Sequence, residues 1–193
     1  DVGVMGKDEA LSWGWVGPCL RGSGVAYDIR KDQPYCGYEQ YDFDVPVGEV
    51  GDNYDRHLVC MEEMRQSLRI AEQCLARLEQ LGPGPLDVFD ARVRWPGKER
   101  VSTQLQDLIQ HCKGVSEGPP VPAGEVYAAS ESANGELGFY LVSDGTSRPV
   151  KLRCRAPSFF HLQPLPQMAR GARLADLAAT FDLVNAVAGE CDR

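Results

Sequence analysis

Apolar residues between Tyr54 and Leu81 recur at steps of three and four, at Leu58, Met61, Met64, Leu68, Ala71, Leu75 and Leu78. That stripe predicts one long amphipathic helix of about 40 Å, started by Asp52 or Asn53 as cap and closed by Gly82-Pro83-Gly84. A helix this long with a single apolar face needs a partner, so the chain alone is expected to expose the stripe and aggregate. Met61 and Met64 read as core filler. After a Pro/Gly-punctuated connection over 82–101, a shorter helix is predicted at Ser102–Cys112. Thr103 and Gln106 have capping-box spacing there, and Leu105, Leu108, Ile109 and Cys112 share a face.

The period then changes to two. Asn134-Gly135, the strongest short hairpin signal, lies between the runs Glu125–Ala129 and Leu137–Val142, and after Asp144-Gly145 a third run alternates Val150, Leu152 and Cys154 with Lys151, Arg153 and Arg155. This predicts an antiparallel meander over about 125–155, half exposed or turned toward an acidic partner. Helices are predicted again from Ser158 to Gln163 and from Arg173 to Leu183, the second with Leu174, Leu177, Ala178 and Phe181 inward. Residues 1–53 show little periodicity among Gly, aromatic and turn-forming residues and read as a long, ordered, irregular segment. No repeat, low-complexity tract or linker divides the chain, which reads as one domain over 1–193.

Charge narrows the partners. Twenty basic residues against 28 acidic give a net charge of −8, which removes the footprint of a nucleic-acid binder. No run approaches the roughly 20 apolar residues needed to span a bilayer, so membrane association must come through other chains. The seven cysteines are scattered without a C-x-x-C pair and read as free buried thiols in a reducing compartment. His57, His111 and His161 are too dispersed for a ligand cluster and read as packing or capping residues, so no metal site is expected. The start at Asp1 reads as a processed or cut end. Dinucleotide, Walker, nucleophile-elbow and zincin signatures are all missing.

The last nine residues, Asn185-Ala186-Val187-Ala188-Gly189-Glu190-Cys191-Asp192-Arg193, stand out: an apolar run ends in two carboxylates, a thiol and a guanidinium. Termini are usually polar and mobile unless something holds them down. This one is expected to be a buried, charge-paired end near a site.

A resemblance gives that end a meaning. Gly17-Pro18-Cys19-Leu20-Arg21-Gly22-Ser23-Gly24-Val25-Ala26-Tyr27-Asp28-Ile29-Arg30-Lys31, Asp42-Phe43-Asp44-Val45-Pro46-Val47-Gly48, Met61-Glu62-Glu63-Met64-Arg65-Gln66-Ser67, Leu141-Val142-Ser143-Asp144-Gly145, Arg148-Pro149, Arg155-Ala156-Pro157-Ser158-Phe159 and Gly189-Glu190-Cys191-Asp192-Arg193 run in order along the chain. Together they resemble the C-terminal half of the quinone-site subunit of respiratory complex I, the NADH dehydrogenase iron-sulfur protein 2 type that is related to the nickel–iron hydrogenase large subunit.

The resemblance implies an α+β fold, a mainly α-helical hydrogenase-like bundle with a small antiparallel β-meander, forming half of a larger fold that another chain completes. It implies a split subunit of NADH:ubiquinone oxidoreductase that forms part of the quinone-reduction pocket, couples electron transfer to proton translocation and is inactive as an isolated chain; the alternative is a scaffold subunit without turnover. The chain would bind no cofactor of its own. Ubiquinone would be the substrate at the shared pocket, and a 4Fe–4S cluster would sit in an adjacent small iron-sulfur subunit. Further partners would be the chain bearing the N-terminal half, which carries the headgroup-binding His and Tyr, and the other peripheral-arm and membrane-arm subunits. The mitochondrial inner membrane, matrix side, is the expected location, with the cytoplasmic face of a bacterial inner membrane as alternative.

Carried over by position, the pocket-lining segment is Val187, Glu190 and Arg193, with Asn185 and Ala188 standing where the family usually has Asp and Phe. Val187 would touch the quinone or its tail, while Glu190 and Arg193 would set the charge network holding the end. Asn134, where the family often has Lys, is expected at a subunit contact, and Arg21 with the Gly22-Ser23-Gly24 turn either near the cluster-bearing subunit or in a plain structural salt bridge. A nickel site would need a second Cys three residues from Cys191, and Ala188 stands there.

Overall fold

A computed structural model describes residues 2–88, 90, 93–119 and 121–192. Among them the order is α1 (Lys7–Ser12), α2 (Gly17–Gly22), α3 (Ile29–Asp32), a 3-10 turn at Tyr38–Gln40, α4 (Asn53–Leu81), α5 (Lys98–Thr103), α6 (Leu105–Ser116), β1 (Gly124–Ser132), β2 (Gly135–Ser143), β3 (Lys151–Arg155), α7 (Pro157–Leu162), α8 (Leu165–Met168), α9 (Leu174–Val184) and α10 (Ala188–Cys191). The three strands form one sheet in the order β1-β2-β3, so the fold is mainly helical with a small antiparallel meander. The described chain forms two compact units, one made of Asp1–Gln80, Ala128–Phe139 and Cys154–Arg193, the other of Leu81–Tyr127 and Tyr140–Arg153. Neither is continuous in sequence, so no single linker separates them.

The long helix forms as its stripe predicts. Asp52 caps it through Oδ1, which accepts the Asp55 amide at 2.9 Å, and Gly82 ends it at φ +63°, where a side chain would be strained. Asp55, one turn in, accepts the backbone amides of Glu49, Val50 and Gly51 with one carboxylate oxygen and so pins the approach to the helix. Burial acts to raise its carboxyl, but those three amides outweigh it and hold it below the usual carboxylate range. Among the described residues the apolar stripe finds no cover: Leu58, Met61, Met64, Leu68, Leu75 and Leu78 are all exposed, Leu68 at 65%. Met61 and Met64 are therefore not core filler among the described residues.

The core of the first unit comes instead from the aperiodic N-terminal residues. Met5, Ala10, Trp15, Cys19 and Leu20 pack with Met168 and Val184. What reads as an irregular segment is three short helices and a turn, and helices of four to six residues are too brief to display a repeat. Arg56, fully buried, ties this segment down by donating to the carbonyls of Gly3 and Gly51 and to Asn53 Oδ1.

Three local expectations are corrected. The helix expected from Ser102 to Cys112 is two helices broken at Gln104, which is extended. The Thr103 hydroxyl donates back to the Glu99 carbonyl at 3.0 Å, serving the last turn of α5, so no capping box forms. In α9, Leu174, Ala178 and Phe181 are exposed and Leu177 is half-buried, whereas Thr180 and Val184 face inward. That helix is apolar around most of its circumference, so spacing could not choose a face; Thr180 is drawn in because its hydroxyl accepts the Asn53 side-chain amide at 3.0 Å. Finally, none of the seven cysteines forms a disulfide, but only Cys19 is buried, its thiol pushed up to about 12 by burial.

His161 has a packing role. Its Nε2 accepts the Val16 amide at 3.3 Å, its ring meets Trp15 edge-on at 5.7 Å, and its Nδ1 is buried without a hydrogen bond. Burial, and then the nearby Arg155 charge, push its pKa down to about 4. A group with a depressed folded pKa stabilises fully above its unfolded value, about 6.5, and that contribution is lost as pH falls through the folded pKa. Protection of the Val16 amide from hydrogen exchange is thus expected to fall between pH 6.5 and 4, and His161→Gln, which keeps an acceptor but cannot charge, should flatten the decline.

Candidate functional site

The terminal segment is held by one serine. Val187 is extended and leads into α10, and Glu190 in that helix folds back so that its Oε2 accepts both the Ser158 amide, at 3.0 Å, and the Ser158 hydroxyl, at 2.5 Å. The same hydroxyl oxygen accepts the Val187 amide at 3.2 Å and the Asn134 side-chain amide at 3.2 Å. A hydroxyl has one proton and two lone pairs, so Ser158, fully buried, is saturated by three partners from two parts of the chain, the terminal segment and the hairpin tip. Asn185, in the left-handed conformation at the end of α9, donates to Asn134 Oδ1 at 2.6 Å and closes the network.

Asn134 reaches this place because the hairpin tip is packed inward. The two tip residues are Ala133 and Asn134, with Gly135 opening β2 at φ +124°. A Cβ on Gly17, the first residue of α2, would lie 2.3 Å from the Gly135 Cα, and one on Gly135 would meet Val16 at 2.7 Å. Only a pair of glycines permits that approach. Beside the tip, Arg155 donates to the Glu136 and Gly14 carbonyls, each at 2.9 Å, and packs over the Phe160 ring.

The sequence-derived site residues thus fall into two groups. Asn134, Asn185, Val187 and Glu190 are brought together, although the family resemblance flagged the two asparagines separately. They are hydrogen-bond partners, an uncharged amide pair. Asn134, expected at a subunit contact, is 6% exposed and its amide is engaged within the chain. Among the described residues of this end, Glu190 is half-buried and anchored by neutral donors, Val187 is 46% exposed, and Ala188 is exposed. Arg193, expected in that charge network, lies outside the described residues. Ala188 lines an open cavity of about 410 Å³ with Leu162, Phe181, Ala186, Cys191 and Asp192. A larger one of about 620 Å³, in the second unit beside Trp95, Ile109 and Lys113, involves none of the expected residues.

Arg21 stands in a buried salt bridge, the second of the two readings given for it. It is 1% exposed, and its guanidinium meets Glu63 at 2.5 Å, Glu131 at 2.9 Å, the Tyr27 carbonyl at 2.9 Å and Asp28 at 3.7 Å. Arg30 closes on Asp28 from the other side at 2.6 Å. Burial acts to lower the Arg21 pKa, yet Glu63 and Glu131 outweigh it and keep it raised. Burial raises the Glu131 carboxyl, against the pull of Arg21. Each guanidinium nitrogen thus donates to a partner in this chain, an arrangement that suits a structural salt bridge. Gly22 likewise makes room for the Arg56 side chain, since a Cβ would lie 2.8 Å from Arg56 Cγ.

Sequence reasoning missed Ser158, Glu63 and Glu131. Ser158 carried a weak signal, a hydroxyl directly after the Pro157 that starts α7; the two glutamates carried none, being ordinary polar positions on a helix and a strand.

The comparisons with known proteins agree over the whole chain. The family described as respiratory-chain NADH dehydrogenase, 49 kDa subunit, matches residues 1–193. The chain is 48% identical over 193 residues to the D-subunit of the NADH-quinone oxidoreductase of Pelobacter propionicus, covering 100% of the chain and 47% of that protein. It is 50% identical over 192 residues to the corresponding protein of Myxococcus xanthus, with 46% of that protein covered, and 49% identical to that of Methylacidiphilum infernorum, again with 46% covered. The chain therefore spans about half the length of the curated relatives it matches. No described helix is long and apolar enough to cross a membrane. With every residue inside the family match and half of them identical to established members, the chain belongs to the 49 kDa subunit family of the respiratory-chain NADH dehydrogenase.

Proposed function

We propose that the chain forms one wall of the quinone-reduction pocket of an NADH:ubiquinone oxidoreductase, next to a 4Fe–4S cluster held by a neighbouring small iron-sulfur subunit. The observation that carries this is the two-sided character of the terminal segment. Its polar side is anchored through Glu190, Ser158 and the asparagine pair, while its apolar side, Val187 and Ala188, is open. A segment fixed on one side and bare and apolar on the other suits a quinone ring or prenyl tail, which gains by leaving water and needs a rigid wall to be oriented.

The division of labour follows. The half of the subunit outside this chain supplies the His and Tyr that hydrogen-bond the headgroup, and this chain supplies apolar contact and shape. Asn185 contributes no charge and the Glu190 carboxylate is taken up by Ser158, so the wall acts on orientation rather than on proton supply. Protons and pumping belong to the surrounding peripheral-arm and membrane-arm subunits. The exposed α4 stripe and the exposed side of α9 are the faces that the rest of the subunit would cover. The complex would lie on the matrix side of the mitochondrial inner membrane or, in a bacterium such as those of the named relatives, on the cytoplasmic face.

The test uses the assembled complex in membranes. Val187→Ala and Glu190→Gln are expected to raise the KM for a short-chain ubiquinone analogue about tenfold, the size of one lost contact worth about 1.4 kcal/mol, and to weaken quinone-site inhibitors in parallel. NADH oxidation by ferricyanide gives the amount of assembled enzyme for normalisation. Unaltered quinone kinetics in both variants would replace this proposal by the scaffold reading.

A further inference from the structure

We propose that Ser158 is the positioning residue of the terminal segment, setting where Val187 and Glu190 stand without touching substrate; this rests on the quinone-wall reading above. Three groups could tether the segment, and the geometry ranks them. The Asn185–Asn134 bond fixes only the end of α9, before the segment turns outward. The backbone of α10 spans a single turn, too short to hold itself. Among the described residues Ser158 alone hydrogen-bonds the segment at two separated points, the Val187 amide and the Glu190 carboxylate, at 3.2 and 2.5 Å.

Those two points bracket the open apolar residues. Val187 and Ala188 lie between the anchors, so a shift of either anchor moves the wall itself. Ser158 is fixed in turn from the opposite side by the Asn134 side-chain amide at 3.2 Å, and Asn134 is immobilised by the close glycine contact beneath the hairpin tip. The chain of restraint thus runs from the core helix α2 through the tip to Ser158 and out to the segment. Removing the hydroxyl oxygen deprives Val187 N, Glu190 Oε2 and Asn134 Nδ2 of a partner at once, while the Ser158 amide still holds Glu190 at 3.0 Å. The segment should then stay attached at one point and swing about it.

Swinging predicts a kinetic signature that simple unfolding does not give. In the assembled complex, Ser158→Ala is expected to raise the KM for a short-chain ubiquinone analogue about fivefold to tenfold, with kcat per assembled enzyme reduced less than about twofold. Asn134→Ala, which leaves the serine in place but frees it from its support, should shift KM in the same direction by a smaller factor. Wild-type KM in Ser158→Ala overturns the proposal, as does a fall in kcat at constant KM. Failure of both variants to assemble also overturns it, because the network would then be a folding determinant. If Val187→Ala and Glu190→Gln shift KM but Ser158→Ala does not, only the positioning role fails; if none of the four shifts it, the quinone-wall reading fails with it.

Discussion

Replacing Arg21 by Ala is expected to destabilise the fold by about 3–5 kcal/mol, the usual consequence of removing one partner from a buried ion pair. The geometry makes the asymmetry large. Glu63, Glu131 and Asp28 surround a guanidinium that is 1% exposed, and Arg30 bonds Asp28, so Glu63 and Glu131 would lose the one cation bonded to them among the described residues. Arg21→Lys should recover only part, because an ammonium cannot bridge two carboxylates and a carbonyl from one planar fork. Glu131→Gln should be mild by contrast: burial already raises that carboxyl, its Oε2 has no hydrogen-bond partner, and an amide oxygen can still accept from Arg21. Yield of assembled complex and its resistance to limited proteolysis measure all three. An Arg21→Ala complex as abundant and as resistant as wild type would refute the structural role assigned to this residue.

Restoring charge at the asparagine pair should show that 134 and 185 act as a unit. Asn134→Lys alone places an ammonium at a position 6% exposed, beside an amide and a serine hydroxyl, and is expected to cost about 2–4 kcal/mol. Asn185→Asp alone is milder, about 1 kcal/mol: it replaces the donor to Asn134 Oδ1 by an acceptor, but Asn185 is exposed and its carboxylate can turn to water. Together the two residues can form the ion pair that the separate substitutions cannot, and a coupling of at least about 1 kcal/mol is expected from the 2.6 Å contact. Thermal inactivation of the four complexes closes the double-mutant cycle; strictly additive effects would mean that the two positions do not sense each other.

Much of the secondary structure was legible because it is periodic. The long helix, the hairpin and the third strand each show their repeat over enough residues to be read, and cap and turn chemistry at Asp52, Gly82 and Gly135 agrees with it. The core was not legible, since it is assembled from helices shorter than two turns around Trp15 and Leu20. The inward face of α9 was hidden for the opposite reason: nearly every position there is apolar, and the face is chosen by a polar contact, Thr180 with Asn53. The terminal segment could be placed by resemblance, but its anchor could not. Ser158 lies 32 residues from Glu190 and 24 from Asn134, and no local pattern encodes a meeting at that distance.

The uncovered row of leucines and methionines along α4 also bears on how much of this protein a cell can keep. If the rest of the subunit covers that row, as proposed above, a copy without its cover would present several turns of sticky helix and would be a substrate for holdase chaperones and proteases rather than a stored intermediate. The amount of this chain that persists is then expected to follow the amount of whatever covers the row.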